Sequence, residues 1–272
     1  MDSLVTVNWL NTHLSDSDLV VLDASVASTI SGIVSEFDHS RIYGARYFDL
    51  KNDFSNKSGS YPNTLPSPKD FQLACQKLGI NRSSKIVVYD NLGIYWSPRV
   101  WWMFKTMGHD YIAVLDGGLP DWIANGFQTE EVNQSENYVS GDFEAKFNTE
   151  LVANFDEVLE NTKQAKALVI DARSAERFKG MVPEPRIGLR SGHIPNSTNI
   201  PYESVLENGK FKSKSALTTI FKDVEKEKRP LIFSCGTGIT ACIILLASEI
   251  SDLSNKKSVY DGSWTEWAQS VN

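Results

Sequence analysis

Short apolar runs alternate with amphipathic stretches along most of this chain. Residues 86–89 and 231–234 are compact, mostly apolar segments, a pattern typical of parallel strands that are buried on both faces. Each is followed within about ten residues by an apolar segment of helical character, at 98–104 and 241–247. This alternation predicts an α/β fold with mainly parallel sheets and helices on both faces of each sheet.

Several motifs occur twice, in the same order in each half of the chain. The matching pairs of segments are 19–24 with 168–172, 42–45 with 194–197, 85–90 with 230–235, and 114–122 with 259–267. A repeat of about half the chain is too long for a solenoid unit and predicts two copies of one domain. We expect a first domain over residues 1–130, a polar linker over 131–150 and a second domain over 151–272.

Composition narrows the class of protein. The 272 residues carry a formal net charge of −7, which does not favour nucleic acid or an anionic membrane as the main partner. No apolar run approaches the ~20 residues of a membrane-spanning helix. The first residues lack the basic or Arg-rich patterns of signal and transit peptides. Three cysteines are too few for a disulfide framework, so we expect free thiols and a cytoplasmic protein.

The chemically distinctive segment runs from 231 to 246. A predicted strand leads into Cys235, then into a loop with two glycines, then into an apolar helix. Glycines allow backbone N–H groups to turn toward one point, and the helix N-terminus adds about half a positive charge there. Such a nest stabilises an anion and favours the thiolate. We therefore predict that Cys235 is a nucleophile, and that Cys75 and Cys242, in predicted helices, are packing residues.

Five motifs together resemble a known family. They are Cys-Gly-Thr-Gly-Ile-Thr at 235–240, Asp-Gly-Ser-Trp at 261–264, Gly-His-Ile-Pro at 192–195, Pro-Glu-Pro-Arg at 183–186 and Val-Leu-Asp-Gly-Gly at 114–118. In this order, over nearly the whole chain, they resemble the tandem-domain sulfurtransferases of the rhodanese superfamily, and within it the members that use 3-mercaptopyruvate. The resemblance implies two rhodanese-like domains, the first degenerate because Asp90 stands where the repeat places Cys235.

The resemblance also implies a two-step reaction. Cys235 attacks the sulfur of the donor and becomes a persulfide, and pyruvate leaves. An acceptor then removes the outer sulfur: a thiol such as thioredoxin or a small thiol, or cyanide. The implied chemistry needs no metal or organic cofactor and involves neither nucleic acid nor membrane. A carboxylate cannot carry the transferred sulfur, so only the second domain would be active.

Within the loop, the resemblance assigns the hydroxyl of Thr237 to the donor or its sulfur. It implies that backbone groups surround the sulfur, from Gly236, Gly238, Ile239 and Thr240. The two threonines are also suited to capping the helix that follows.

Two arginines match the family residues that bind the donor carboxylate. Arg177 and Arg186 carry the guanidinium fork that suits a carboxylate, although without the resemblance they would read as surface arginines. Tyr95 matches an aromatic residue near the family's cleft, and packing is its other interpretation.

The chain departs from the family at one position. In the family, a histidine often precedes the turn that matches 42–45 and assists the loop hydroxyl. Arg41 stands there, so either His39 substitutes or that assistance is absent.

Three other functions share part of this sequence pattern. Thiosulfate is a compact dianion, and enzymes that prefer it usually have cationic side chains in the loop, whereas residues 236–239 are neutral here. A cysteine phosphatase needs an arginine six residues after the cysteine, where this chain has Ala241, so this alternative is rejected. A scaffold that relays persulfide sulfur to a protein acceptor stays open alongside thiosulfate transfer.

Overall fold

The computed structural model describes residues 1–132 and 137–271, and these fold as two compact units. The first consists of the described residues of Met1–Lys57, Leu65–Asn148 and Asn208–Lys210, and the second of those of Ser58–Thr64, Thr149–Glu207 and Phe211–Asn272. Within the described residues, no helix is both long enough and apolar enough to cross a bilayer. Of the predicted linker, 133–136 lie outside the described residues.

The first unit is built on a parallel sheet of five strands. Its strands are β1 (Leu4–Val5), β2 (Leu19–Asp23), β3 (Ser40–Ile42), β4 (Arg46–Tyr47), β5 (Lys85–Tyr89), β6 (Ile112–Leu115) and β7 (Thr129–Glu131). Its helices are α1 (Val7–His13), α2 (Pro68–Lys77), α3 (Ser97–Thr106) and α4 (Gly118–Ala124). The sheet order is β1-β6-β5-β2-β4, with all pairs parallel, and β3 pairs antiparallel with β7.

The second unit repeats this plan. Its strands are β8 (Val152–Ala153), β9 (Leu168–Asp171), β10 (Ser197–Asn199), β11 (Leu206–Glu207), β13 (Leu231–Ser234) and β14 (Lys257–Tyr260), and β12 (Lys210–Phe211) has only its second residue in this unit. Its α-helices are α5 (Phe155–Gln164), α6 (Ala175–Phe178), α7 (Lys214–Glu225), α8 (Thr240–Ile250) and α9 (Ser263–Ser270). The main sheet, read from the other edge, has the order β8-β14-β13-β9-β10, again entirely parallel.

The two sheet orders are identical when only the five strands of each main sheet are counted, in chain order, from the start of their own unit. The predicted strands at 86–89 and 231–234 are β5 and β13, the central strand of each sheet, and their side chains are buried apart from that of Lys85. This explains why both segments are apolar without alternation, since a central strand is covered on both faces. The predicted α/β fold, with two copies of one domain built on mainly parallel sheets, is confirmed.

The predicted linker follows the first unit for part of its length. Gly141 N–H donates to the carbonyl of Gln76 at 2.8 Å, and Lys146 N–H donates to that of Met107 at 2.8 Å. Phe143, which is buried, packs among the rings of the first unit. The boundaries at 130 and 150 stay a prediction.

Asp90 directly follows β5, as Cys235 directly follows β13. Its side chain is completely buried, and its Oδ2 accepts from the N–H groups of Tyr95, Trp96 and Ser97 at 3.0, 2.8 and 2.8 Å. The Ser97 hydroxyl adds a contact of 2.7 Å. Because these donors lie at the start of α3, the carboxylate also faces the positive end of that helix. The loop after β5 is therefore an anion site that the protein fills with its own carboxylate.

Asp90→Asn tests the anion site in the first unit. The amide keeps the size of the side chain but removes the charge and places an N–H₂ group among donors. We expect the free energy of unfolding to fall by about 2–4 kcal/mol, because hydrogen bonds to a charged acceptor are lost where water cannot replace them. Asp53→Asn is the matched control, since Asp53 is exposed and its carboxylate lies 3.8 Å from Lys57 Nζ. Equal calorimetric stability of the two variants would contradict this account.

Candidate active site

Cys235 lies at the carboxyl end of the central strand of the second sheet, and only 1% of its surface is exposed. The loop from 236 to 239 separates it from α8. Gly238 has φ +77°, the left-handed region that glycine adopts without a steric cost, so this is the residue on which the loop's turn depends. Because α8 begins at Thr240, the N–H groups of its first turn point back toward the cysteine loop.

Gly236 affects the site in a different way. Its φ lies outside the left-handed region, but a Cβ placed there would be 3.2 Å from Arg177 Nη2. The missing side chain therefore lets a guanidinium approach the loop directly beside Cys235.

The start of α9 holds the cysteine loop by its backbone. The N–H of Cys235 donates to Ser263 Oγ at 3.2 Å, and the N–H of Trp264 donates to the carbonyl of Cys235 at 2.9 Å. The carbonyl of Gly236 accepts both the N–H and the hydroxyl of Thr265, at 3.1 and 2.7 Å. These bonds give the Asp-Gly-Ser-Trp motif a physical role, which is to position the cysteine at the strand end.

A chain of buried charges leads to the loop. Arg173 is fully buried, and its guanidinium forms an ion pair with Asp171 in which Nη2 lies 2.6 Å from Oδ2. Its Nη1 donates to Glu184 Oε1 at 2.8 Å. Glu184, also buried, accepts from Arg177 Nη2 at 2.6 Å through its other oxygen. Arg177 keeps 23% of its side chain exposed. The chain therefore runs from the sheet, through Glu184, to the guanidinium that faces Gly236.

Arg186 completes this cluster and changes its charge balance. Burial lowers the pKa of Arg186 from its ordinary value, the charge of Arg177 lowers it further, and Cys235 and Glu184 raise it. The guanidinium is thus close enough to Arg177 and to the Cys235 sulfur for their charges to interact, and it stays protonated at neutral pH. Three arginines against the two carboxylates Asp171 and Glu184 leave one positive charge in this cluster, which suits a thiolate or an anionic ligand.

The side chain of Thr237 points at a residue distant in the sequence. It is 9% exposed, and its Oγ1 accepts a hydrogen bond from Asn63 Nδ2 at 3.0 Å. The N-cap residue of α8 is Ile239, which makes no side-chain cap, and Thr240 is already the first helical residue. The hydroxyl of Thr237 is therefore held at the loop itself.

The other two cysteines are packed in helices. Cys242 is fully buried in α8, and its Sγ donates to the carbonyl of Gly238 at 3.2 Å. This hydrogen bond connects the cysteine loop to the helix. Cys75 is fully buried in α2, and burial raises the pKa of its thiol well above the ordinary value. Both therefore serve packing in this structure.

Three residues that the sequence analysis discussed, Tyr95, Arg41 and His39, lie in the first unit. The N–H of Tyr95 donates to Asp90 and its ring meets that of Trp96 edge to face at 4.9 Å. Arg41 is buried, with Nε at 2.7 Å from Glu130 Oε1, and His39 is almost fully exposed beside Asp38. A role of Tyr95 in substrate binding stays a prediction, as do the two alternatives for Arg41 and His39.

The second unit thus brings together Cys235, Thr237, Arg177 and Arg186, but the sequence alone did not find the residues that hold them. Asp171 is the last residue of β9, and its position in the sequence does not indicate a role in the site. Glu184 lies inside the Pro-Glu-Pro-Arg motif, where a carboxylate between two candidate cations was an available signal. Arg173 and Asn63 carried no comparable signal, because neither stands in one of the motifs.

Comparisons with known proteins agree on one family. The Rhodanese-like domain matches residues 6–125 and again 154–270. The 3-mercaptopyruvate sulfurtransferase of Escherichia coli K12 is 37% identical over 268 residues, which are 97% of this chain and 94% of that protein. Thiosulfate/3-mercaptopyruvate sulfurtransferase 2 of Arabidopsis thaliana is 37% identical over 298 residues, covering 100% and 85% of the two chains. The crystal structure of SseA from Escherichia coli superimposes with a TM-score of 0.84 at 33% identity, covering 97% of this chain and 99% of that one.

The excess positive charge predicts how Cys235 responds to alkylating reagents. The ratio of the alkylation rate with anionic iodoacetate to that with neutral iodoacetamide should be about fivefold higher for Cys235 than for a free thiol. An attraction of about 1 kcal/mol corresponds to that factor. Arg186→Gln should abolish this preference, with intact mass as the readout and the rate ratio as the measured quantity. Arg190→Gln is the matched control, because Arg190 is a nearby but exposed arginine. A ratio unchanged by Arg186→Gln would show that the cluster does not attract anions.

Proposed function

Because this chain belongs to the rhodanese family and carries two copies of its domain, we propose that it is a sulfurtransferase that moves the sulfur of 3-mercaptopyruvate onto Cys235. One observation carries the choice of site: Cys235 ends the central strand beside two arginines, whereas the equivalent position of the first unit is Asp90, locked in its own loop. The second unit is therefore the active one.

Binding of the donor begins at its carboxylate. Among the described residues, Glu184 is the partner of Arg177 Nε and Nη2, which leaves Nη1 for an added carboxylate. Arg186 adds a second guanidinium, and its partly buried position strengthens the attraction because less water screens it. Glu184 has a positioning role here, since it fixes the plane of the Arg177 guanidinium before any ligand arrives. Two cations then hold the donor so that its thiol lies toward Cys235.

The first chemical step transfers sulfur to the cysteine. The Cys235 thiolate attacks the donor sulfur, an S–S bond forms and the C–S bond of the donor breaks. The electron pair of the broken bond passes into the enolate of pyruvate, which takes up a proton and leaves. The cysteine is left as a persulfide, whose outer sulfur is anionic.

The loop of the first unit indicates how the persulfide would be stabilised. Around Asp90, backbone N–H groups reach an anionic oxygen at 2.8–3.0 Å in a loop of the same topological position. The N–H groups after Cys235, of Thr237, Gly238, Ile239 and Thr240, would serve a thiolate or persulfide in the same manner. Fixed dipoles of this kind need no reorganisation during the reaction.

The second step returns the cysteine to its starting state. A thiol, either a small molecule or a protein such as thioredoxin, attacks the outer sulfur, and the Cys235 thiolate is the leaving group. Cyanide would accept the same atom as thiocyanate. We place this chemistry in a reducing compartment such as the cytoplasm, because it depends on thiols that stay reduced.

Thiosulfate is the second candidate donor, and one observation favours keeping it. A relative with 37% identity, from Arabidopsis thaliana, is named for both donors. Against it stands the neutral loop of residues 236–239, because thiosulfate places a charged sulfonate next to the sulfur that is transferred. Mercaptopyruvate carries its charge away from that atom, where the arginines lie.

Cys235→Ser should abolish sulfur transfer and leave the fold intact, because a hydroxyl cannot hold the transferred sulfur as a thiol does. After incubation with mercaptopyruvate, the intact mass of the parent should rise by one sulfur atom and that of the variant should not. Cys242→Ser and Cys75→Ser are the matched controls, and each should load sulfur. Turnover by Cys235→Ser at the parental rate would exclude the mechanism, and a parent that never gains sulfur would exclude the function.

Donor preference follows from the position of the charges. In steady-state kinetics, kcat/KM for mercaptopyruvate should exceed that for thiosulfate by more than about tenfold, a factor that needs only about 1.4 kcal/mol in the transition state. Arg186→Ala should lower kcat/KM for mercaptopyruvate by at least about tenfold, because a charge-assisted contact in a partly dry site is lost.

Arg190→Ala again serves as the exposed control in these kinetics. Equal efficiency of the parent with both donors would make general thiosulfate sulfurtransfer the better description of this protein.

A further inference from the structure

The two units share one backbone hydrogen bond at the end of the central strand, but the side chain of its donor differs. In the first unit the N–H of Leu119 donates to the carbonyl of Asp90 at 3.0 Å. In the second unit the N–H of Trp264 donates to the carbonyl of Cys235 at 2.9 Å. The backbone bond therefore belongs to the shared fold, and this fold accepts a leucine at the position. The indole ring needs a separate explanation, because it stands beside the cysteine.

A second difference between the units accompanies the first. The N–H of Ser25 donates to Asp23 Oδ1 at 2.9 Å, and the N–H of Arg173 donates to Asp171 Oδ1 at 2.9 Å, so Ser25 and Arg173 occupy equivalent positions. Where the first unit has a serine and a leucine, the second has an arginine and a tryptophan that stack, with the guanidinium carbon 4.5 Å from the centre of the Trp264 ring. A stack that one copy of the fold does without indicates a role in the site.

The polar edge of the same indole contacts the loop of residues 180–191, here called the arginine loop because it carries Arg186. The indole N–H of Trp264 donates to the carbonyl of Arg190 at 3.0 Å. A Cβ placed at Gly192, just after this loop, would be 3.7 Å from the ring. Only 2% of Trp264 is exposed, so this hydrogen bond is largely shielded from water. One residue therefore binds the cysteine loop through its backbone and the arginine loop through its side chain.

The position of Arg186 depends on how its loop is held on either side. Before it, Glu184 accepts hydrogen bonds from two guanidinium groups at 2.8 and 2.6 Å. After it, the carbonyl of Arg190 accepts the indole N–H. Between these two points Ile187 is fully exposed, so its side chain adds no packing that would fix the backbone next to Arg186. Loss of the indole contact would leave the arginine loop held at one side.

We propose that Trp264 is a positioning residue whose indole holds the arginine loop beside the cysteine, so that Arg186 is in place for the carboxylate of the donor. This inference rests on the proposed function. The distance between the nucleophile and the group that binds the carboxylate determines whether the donor sulfur reaches Cys235. Fixing that distance before the donor arrives avoids the cost of ordering the loop during binding.

The test removes the indole in two steps. Trp264→Phe keeps an aromatic ring for Arg173 and the backbone N–H but removes the indole donor, so kcat/KM for mercaptopyruvate should fall by at least about threefold, as a higher KM. Trp264→Leu, which installs the residue of the first unit, also removes the stack and should lower it by more than about tenfold. A loss that appears only in kcat would overturn the proposal.

Trp267→Phe is the matched control for these kinetics. Trp267 lies in the same helix and is also 2% exposed, but its ring packs against that of Phe155, with 5.8 Å between the ring centres. This variant should keep the parental kcat/KM. An equal loss in Trp264→Phe and Trp267→Phe would mean that both rings serve only the core, and would overturn the proposal.

Alkylation of Cys235 separates positioning of the arginine loop from a general disturbance. In Trp264→Phe the ratio of the rate with iodoacetate to that with iodoacetamide should fall toward the value of a free thiol. The rate with neutral iodoacetamide should stay close to that of the parent, because the backbone donors and acceptors around Cys235 are unchanged. A merely structural role would change both rates alike. An unchanged ratio, or an equal change in both rates, therefore overturns the proposal.

A double-mutant cycle with Arg186→Gln shows whether Trp264 acts through that guanidinium. In the Arg186→Gln background, Trp264→Phe should have little further effect on kcat/KM for mercaptopyruvate. An equal loss in both backgrounds would overturn the proposal while the proposed function stands. Loss of fold in Trp264→Phe, measured by circular dichroism, would show that the indole serves the core and would overturn it as well. Failure of the parent to load sulfur would refute the proposed function instead, and the alkylation ratio would still test the loop.

Discussion

The structure depends on one electrostatic constraint, which is that the loop after the central strand of each sheet needs an anion. In a parallel sheet the central strand is covered on both faces, and the helix that follows it directs its positive end back at the strand terminus. Backbone N–H groups that converge there would be costly to leave unpaired. The first unit satisfies them with Asp90, whose carboxylate accepts from four backbone N–H groups and a hydroxyl.

In the second unit the same position holds Cys235, the proposed nucleophile. The start of α9 takes up the backbone groups of Cys235 and Gly236, so the loop is held by contacts that do not involve the Cys235 sulfur. The chain Asp171–Arg173–Glu184–Arg177 has two carboxylates and two guanidinium groups, so it is neutral, and it holds Arg177 at the loop. Arg186 adds one positive charge to this cluster, which in the proposed reaction attracts the anionic donor.

The sequence predicted the parts of the protein that depend on local pattern. Apolar runs indicated β5 and β13 because burial on both faces leaves no room for polar side chains. The internal repeat indicated the shared topology, because equal orders of elements fold into equal sheets. The cysteine, its glycines and the helix that follows were readable for the same reason, since they are adjacent in the chain. The different roles of the two glycines could not be read from the sequence. Gly238 allows the turn, and Gly236 leaves space for Arg177.

What the sequence by itself determined was the fold class and the duplication, and it also singled out the proposed nucleophile, because all three depend on residue type and spacing over a few turns or strands. Only the tertiary structure decided which distant groups complete the site. Glu184 and Arg173 meet Asp171 and Arg177 because a loop folds back onto the end of β9. Asn63 meets Thr237 because Ser58–Thr64, although it is early in the sequence, belongs to the second unit. Such contacts have no periodicity: they arise from how whole segments bury their surfaces, and one-dimensional spacing contains no measure of that.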